Sequence, residues 1–364
     1  MKKKLLVLTD YRGYFSSKFI GTKEFHQKVN INVDRIKEIL EESFEVEVYK
    51  YQDIDISKNY NGWYVVYASS EERGLFYKSY IEDVLLKLMY DGAILVPEYK
   101  FFRAHGNKSF MEMLRLQFKD IGLRTISSDI YGRLEELDTN KYDGRFPLVI
   151  KSSSGSGSLG VKLANNESEL KRAVKDLSYV KYNDQFYSPL KDIVYTKIGW
   201  KIKTILYSLI KKSQRIDNPS GFFYTNKYLI QNYVPNLQSD FKVLYYNNKY
   251  YVLKRETRDN DFRASGSGKF SYPENIEELI PVLDYAKRVT QCVGAPMISM
   301  DLALKDGVGY LIEFQCVGFG VYTIMYADSY YEEKNNEWVK IESNSDIELE
   351  TARSIKEFIK DNYE

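Results

Sequence analysis

The chain has few of the residues that build histidine- and cysteine-based sites. Its 364 residues include two cysteines, Cys292 and Cys316, and two histidines, His26 and His105. Two cysteines cannot form a disulfide framework, and reduced thiols are typical of the cytoplasm, where we expect the protein to work. A histidine-rich metal site is excluded, and histidine-centred catalysis is disfavoured.

Excess charge and long apolar runs are also absent. The formal net charge of +1 gives no electrostatic reason to expect a nucleic acid or an anionic membrane as partner. No stretch approaches the roughly 20 apolar residues that span a bilayer. The apolar start stops at Leu8, which is too short for a signal peptide and predicts a first β-strand. The length allows two or three globular domains.

Strand and helix patterns alternate over the first hundred residues, which predicts a parallel α/β domain at 1–105. Further ranges are predicted at 106–228, 229–345 and 346–364, the last being a C-terminal helix. The predicted strands are 5–8, 44–49, 63–67, 93–96, 147–151, 161–164, 228–233, 241–246 and 249–255. The predicted helices are 33–43, 77–89, 107–122, 167–177, 276–293 and 348–359.

The least regular stretch is 178–227, a long insertion in the second predicted domain. Around 198–212 its apolar residues recur at helical spacing, with lysines on the other face. Such a basic amphipathic helix can bind membrane surfaces but more often covers a core. It could also border a substrate pocket, form a lid or determine specificity.

Two apolar runs flank Asp306-Gly307, a dipeptide that favours a tight hairpin turn. If the turn is centred there, positions that sum to about 613 or 614 face each other, so Asp301 lies roughly opposite Glu313. Period-2 alternation puts Gln315 on the same face as Glu313. Opposed carboxylates repel each other. A divalent cation such as Mg²⁺ offsets that repulsion and leaves room for phosphates. The alternative is a surface hairpin with solvated acids.

A glycine/serine loop, 152–160, follows the strand that ends at Lys151. Its glycines let backbone N–H groups approach a phosphate, and the lysine at the strand end can neutralise charge. It is not a Walker A loop, because the lysine precedes the glycines, and no helix follows directly as a Rossmann fingerprint requires. A flexible surface turn is the alternative.

Cations are concentrated between positions 249 and 263. Alternation places Lys254 and Arg255 on opposite faces of their strand, so one of them should point inward. Their place just ahead of the predicted hairpin favours an anion site over a solvated face.

In this order the segments resemble the ATP-grasp superfamily, most nearly the carboxylate–amine ligases that include the ribosomal-protein glutamate ligase. The resemblance runs from about Asn107 to Gly320. The matching segments are Asn107-Lys108, 147–160, 229–234, 240–243, 253–255, 261–263, Asp301 and 313–315. Gln238 stands where the family often has an acid, and Gln315 where it usually has asparagine.

The resemblance implies an N-terminal α/β domain followed by two α+β subdomains that bind ATP between them, together with Mg²⁺ or alternatively Mn²⁺. The implied phosphate ligands are Lys108, Lys151, Ser154, Gly155, Ser156, Gly157 and Ser158. Nucleotide binding is further assigned to Gln231, Asn232, Val234 and Gln238. Phosphoryl stabilisation is assigned to Lys254, Arg255 and Arg263, and metal binding to Asp301, Glu313 and Gln315.

The implied activity joins a carboxylate to an amine through an acylphosphate, with release of ADP and phosphate. The expected substrates are small molecules such as amino acids, peptides or sugar acids. A homodimer is compatible with families of this kind. Two alternatives stay open: an ATP-grasp phosphotransferase that acts on a hydroxyl, and an ATP-binding regulatory protein without turnover.

Overall fold

The computed structural model describes most of the chain in two compact units. Unit 1 consists of Met1–Ser127 and Val234–Glu364, and unit 2 of Ser128–Tyr233. The described residues are 2–22, 26–72, 75–155, 160–178, 226–258, 261, 263–264 and 267–364. The predicted loop residues Ser156, Gly157 and Ser158 lie outside them, as do positions 179–225 of the predicted insertion.

Unit 1 begins with a parallel four-stranded sheet in the order β4-β1-β5-β6. The strands and helices up to residue 116 are β1 (Lys3–Thr9), β2 (Ser17–Gly21), β3 (His26–Asn30), α1 (Val33–Glu41), β4 (Phe44–Lys50), β5 (Tyr64–Tyr67), α2 (Phe76–Tyr90), β6 (Ile94–Leu95), α3 (Tyr99–Ala104) and α4 (Lys108–Leu116). Strand β1 is a continuous apolar run with Leu5–Leu8 fully buried, as expected of a parallel strand covered on both faces.

Helix α4 is shorter than the predicted helix at 107–122. It starts after Asn107, whose side chain accepts a hydrogen bond from the Phe110 backbone N–H. It ends at Leu116, and a separate 3-10 turn, Ile121–Leu123, follows. The cap fixes the position of Lys108, the first residue of the helix.

The described part of unit 2 is an antiparallel sheet in the order β7-β10-β8-β9, packed against one helix. Its elements are β7 (Ser128–Tyr131), β8 (Leu148–Ser152), β9 (Val161–Ala164), α5 (Glu167–Ser178) and β10 (Tyr228–Asn232). Its own core of buried apolar side chains includes Ile150, Leu170 and Ile230.

The rest of unit 1 is a second, antiparallel sheet in the order β15-β14-β11-β12-β16-β17, with β13 beside β12. Its elements are β11 (Ser239–Tyr246), β12 (Lys249–Glu256), β13 (Phe270–Ser271), α6 (Ile276–Val293), β14 (Met297–Lys305), β15 (Val308–Gln315), α7 (Tyr322–Tyr326), β16 (Ser329–Lys334), β17 (Glu337–Glu342) and α8 (Ile347–Tyr363). No helix among the described residues has the length and apolar character to cross a lipid bilayer.

The hairpin of β14 and β15 turns at Asp306-Gly307, as predicted. Both residues have positive φ, 51° and 77°, which suits a type I′ turn and the twist of the flanking strands. Asp301 pairs with Glu313, which confirms the predicted register, although the ladder shifts by one residue between Asp301 and Leu302.

The two sheets of unit 1 share a core. Leu6 and Val65 of the first sheet belong to the same buried cluster as Val243 and Met300 of the second. Unit 1 therefore combines parts of the chain that the predicted ranges 1–105, 106–228, 229–345 and 346–364 separate. Those four ranges stay a prediction about domains.

Candidate active site

The predicted metal residues lie together on one face of the second sheet of unit 1. Asp301 on β14 faces Glu313 on β15, and Gln315 follows on the same side of the strand. Gln315 Nε2 donates to Glu313 Oε1 at 3.3 Å, which leaves the amide oxygen as an acceptor. Lys108 Nζ, at the start of α4, lies 3.8 Å from the same glutamate oxygen. The structure thus unites these three residues with a predicted phosphate-binding lysine.

Asp301 lies between two cations. Lys242 Nζ is 3.0 Å from its Oδ1, and Arg255 Nη2 is 3.0 Å from its Oδ2. Burial alone would raise the pKa of Asp301, but Lys242 and Arg255 together hold that pKa well below its usual range. Asp301 is therefore ionised at neutral pH.

Arg255 also binds Asp240, because its Nε donates to Asp240 Oδ1 at 2.6 Å. Burial raises the pKa of Asp240 to about 6, with Arg255 opposing the shift and the charge of Asp301 adding to it. Burial would lower the pKa of Arg255, yet the two carboxylates raise it above its usual value. The guanidinium therefore stays charged and is held from two sides.

The other two predicted cations have different surroundings. Lys254 pairs with Phe241 on β11, so alternation places it on the face opposite Arg255. Of the two neighbours, Arg255 is the one that reaches the candidate site. Arg263 lies in the loop after β12, where its Nη2 is 2.6 Å from Asp261 Oδ2, and this contact raises the pKa of Arg263.

Asp301, Glu313 and Gln315 are the residues here that could supply ligands to a magnesium ion. They present carboxylate and amide oxygens, and Mg²⁺ typically takes one or two carboxylates and leaves positions for substrate phosphates. Asp301 Oδ1 is buried and lies 3.0 Å from Lys242 Nζ, so a metal ion would share this carboxylate with the lysine or displace it. Among the described residues, no group of three or more His, Cys, Asp and Glu side chains could hold a metal. A metal ion held by Asp301 and Glu313 would therefore need Gln315 or substrate oxygens as its further ligands.

In unit 2 the predicted loop starts where β8 ends. Lys151, the predicted phosphate ligand, pairs with Leu229 on β10 and is partly buried. Ser154 Oγ accepts a hydrogen bond from Asn226 Nδ2 at 2.9 Å, and Gly155 has φ +107°, a conformation that favours glycine. Asn226 is thus a support of the loop that the sequence pattern did not indicate.

The predicted nucleotide residues have varied surroundings. Gln231 is buried, and its Nε2 donates to Ser128 Oγ at 2.8 Å, so its side chain already has a partner within unit 2. Asn232 is exposed and accepts from Arg145 Nη2 at 3.0 Å. Their assignment to ATP stays a prediction.

Val234 and Gln238 belong to unit 1, in the segment that leads to β11. Val234 is partly buried and Gln238 is exposed. The Gln238 carbonyl accepts from the Thr257 backbone N–H at 3.0 Å. A role in nucleotide binding likewise stays a prediction for both.

Sequence reasoning missed Asp240 and Lys242 as parts of the site. A local signal exists for Asp240: Asn247-Asn248 forms the turn between β11 and β12, and that register places Asp240 opposite Arg255. The contact of Lys242 with Asp301 depends on the pairing of β11 with β14, strands that are distant in sequence. No local pattern specifies such a pairing.

Comparison with known proteins gives structural matches. Neither a protein-family model nor a curated protein sequence matches the chain. The D-cycloserine synthetase DcsG is 12% identical in sequence and has a TM-score of 0.52. The match covers 98% of this chain and 99% of DcsG. The D-alanine–D-alanine ligase of Bacillus anthracis with ATP is 14% identical, with 87% of both chains covered and a TM-score of 0.44. The ATP-grasp ligase PsnB with its minimal precursor is 13% identical, with 98% of both chains covered and a TM-score of 0.46.

At this level of identity a structural likeness defines the fold alone. The fold is that of the D-cycloserine synthetase DcsG, with a parallel α/β sheet ahead of antiparallel sheets. The fold predicted from the sequence is thereby confirmed.

Proposed function

We propose that the protein is an ATP- and Mg²⁺-dependent ligase that joins a carboxylate to an amine and releases ADP and phosphate. The observation that carries the proposal is the face of unit 1 on which Asp301 opposes Glu313 and Gln315. Lys108 lies 3.8 Å from Glu313, and Arg255 lies 3.0 Å from Asp301. Carboxylates next to fixed cations suit a site that handles a metal and phosphates.

The proposed reaction has two steps. The substrate carboxylate attacks the γ-phosphorus of ATP, which forms an acylphosphate and releases ADP. After losing a proton to solvent, the neutral amine attacks the acyl carbon, a C–N bond forms, and the C–O bond to phosphate breaks so that phosphate leaves. Both steps require positioning and charge neutralisation more than a protein nucleophile, which agrees with the scarcity of cysteine and histidine.

The cations of the chain would neutralise the transferred phosphoryl group. Arg255 is fixed by Asp240 and Asp301, so it needs little rearrangement before it meets developing negative charge. Lys108 would contact the phosphates from the start of α4, and Arg263 is a further predicted contact. Asp301, Glu313 and Gln315 would hold Mg²⁺, which when bound would neutralise phosphate oxygens.

The proposed substrates are small molecules, namely amino acids, peptides or sugar acids. The proposed location is the cytoplasm. Both cysteines are free thiols, which is compatible with a reducing compartment. Mn²⁺ is the proposed replacement for Mg²⁺, because it accepts the same oxygen ligands.

A screen of paired acids and amines tests the proposal. The purified protein is incubated with ATP, Mg²⁺ and each pair, and nucleotides and products are separated by mass spectrometry. We expect ADP, phosphate and an amide whose formation requires both the acid and the amine. Formation of AMP and pyrophosphate would contradict the proposal. A phosphorylated hydroxyl compound would support the phosphotransferase alternative instead.

A further inference from the structure

The first sheet of unit 1 contains a topological switch point. The chain passes from β1 to β4 on one side of the sheet, and then to β5 and β6 on the other. In open parallel sheets, ligands bind outside the carboxyl ends of the strands at such a point. The loop that leaves β5 there leads to α2, and the part of it nearest the strand is 68–72. Its side chains are therefore placed to meet a substrate.

On this loop, Glu71 is paired with a buried histidine. His105, at the end of α3, is 2% exposed. Its Nδ1 is 2.8 Å from Ser69 Oγ, and its Nε2 is 3.1 Å from Glu71 Oε1. The glutamate side chain is 49% exposed. A ring fixed inside the protein thus lies next to a carboxylate that solvent can reach.

The charges that face this carboxylate keep it ionised. The contact with His105 lowers the pKa of Glu71 the most, burial opposes the shift, and the ammonium groups of Lys108 and Lys78 add to it. Lys78 is itself buried, and its Nζ donates to the backbone oxygen of His105. The carboxylate is thus accessible and negatively charged at neutral pH.

This pair adjoins the proposed ligase site within the same unit. Lys108, which influences Glu71, is the lysine that lies 3.8 Å from Glu313. The loop after Gln315 packs directly on the imidazole, because a Cβ added at Gly318 would lie 2.6 Å from the His105 ring. Glu71 and Glu313 are thus both influenced by Lys108, which links the accessible carboxylate to the proposed ligase site.

We propose that Glu71, positioned by His105, binds the ammonium group of the amine substrate. The inference rests on the proposed ligase function and deepens it. An ionised carboxylate at the switch point attracts a primary ammonium, and an acid substrate would be repelled by it. His105 acts as a positioning residue, since its ring is buried and reaches the substrate only through Glu71.

Kinetics with two nucleophiles test the proposal on full-length protein. Hydroxylamine, a small neutral nucleophile, traps an acylphosphate without needing an ammonium site. For Glu71→Gln we expect the KM of the amine to rise about 10- to 100-fold. ADP release and hydroxamate formation with hydroxylamine should stay within about twofold of wild type. The neighbouring exposed residue supplies a matched control, Glu72→Gln, which should behave like wild type.

His105→Gln should raise the KM of the amine and leave the KM of the acid unchanged, which a loss of stability alone would not do. An unchanged amine KM in Glu71→Gln, or an equal loss with both nucleophiles, would overturn the proposal. Absence of hydroxamate from wild type with every acid would instead count against the ligase function.

A binding measurement tests the ammonium site without turnover. The chain has two histidines, so the ring resonances of His105 and His26 can be separated by NMR, and His26 serves as an internal reference. Adding glycinamide should shift the His105 resonances in a saturable way, whereas acetate should not. The shift should disappear in Glu71→Gln. No shift in wild type, or an equal shift in the variant, would overturn the proposal.

Discussion

Lys242 Nζ lies 3.0 Å from Asp301 Oδ1, although the two residues are on strands far apart in the sequence. Both side chains are largely buried, so each compensates the cost of removing the other's charge from water. Arg255 contacts the second oxygen of the same carboxylate. A metal-binding carboxylate would thus be kept ionised and in place before any ligand arrives.

Lys242→Met should destabilise the protein. Asp301 would keep one cation in place of two, and the loss of one partner by a buried polar group costs about 1–3 kcal/mol of folding free energy. Urea denaturation followed by circular dichroism measures the change. Lys242→Arg keeps the charge and is the matched control. Equal stability of wild type and Lys242→Met would show that this ion pair contributes nothing to the fold.

Stability should depend on pH through Asp240. Its pKa of about 6 in the folded state lies above its ordinary value of 3.8, so the folded chain binds this proton more readily than the unfolded chain between those pH values. The resulting stability is fully present below about pH 4 and is lost as the pH rises through 6.

Comparison with Asp240→Asn isolates this effect. The free energy of unfolding of wild type, relative to the variant, should fall by about 1–3 kcal/mol between pH 4 and pH 7. Urea titrations at several pH values measure the difference. A constant difference across this range, or one that grows with pH, would contradict the raised pKa.

Gly318→Ala should be more harmful than Gly320→Ala. Gly318 has φ +66°, and an added Cβ would meet the His105 ring, whereas a Cβ at Gly320 has no described atom within 4 Å apart from its chain neighbours. Strain and displacement of the ring together should cost about 1–3 kcal/mol for Gly318→Ala. Thermal unfolding of both variants gives the comparison. Similar melting temperatures would mean that the ring does not pack on this loop as described.

Glu313→Gln should weaken metal binding with little effect on folding. Loss of one anionic ligand should raise the Mg²⁺ concentration for half-maximal ADP release by about tenfold or more. Mn²⁺ binding in the presence of ATP, followed by electron paramagnetic resonance, gives a readout that does not depend on turnover. The exposed residue on β17 gives the control Glu337→Gln. Unchanged metal affinity in Glu313→Gln would remove this residue from the site.

The sequence predicts what local patterns determine. The helix at 276–293 has the predicted bounds, and the Asp306-Gly307 turn sets the register of its strands to within the one residue by which the ladder shifts before Asp301 pairs with Glu313. The hairpin of β16 and β17 escaped the sequence analysis, although its turn residues Asn335 and Asn336 also have positive φ. Its strands carry many charged residues, which hides the alternation.

Non-local contacts account for what the sequence could not predict. Lys242 meets Asp301, and Glu71 meets His105, only after separate segments pack together. Histidine-centred chemistry was disfavoured from composition, and the proposed role of His105 is to position a carboxylate. Composition alone does not distinguish such a buried support from an ordinary core residue.

Oxygen transfer tests the proposed ligase reaction most directly. If a substrate carboxylate is phosphorylated and then attacked by an amine, one of its oxygens leaves with the phosphate. With an acid labelled with ¹⁸O in the carboxylate, mass spectrometry of the released phosphate should therefore show one ¹⁸O per molecule. Phosphate without the label, formed together with ADP and amide, would contradict an acylphosphate intermediate and with it the proposed function.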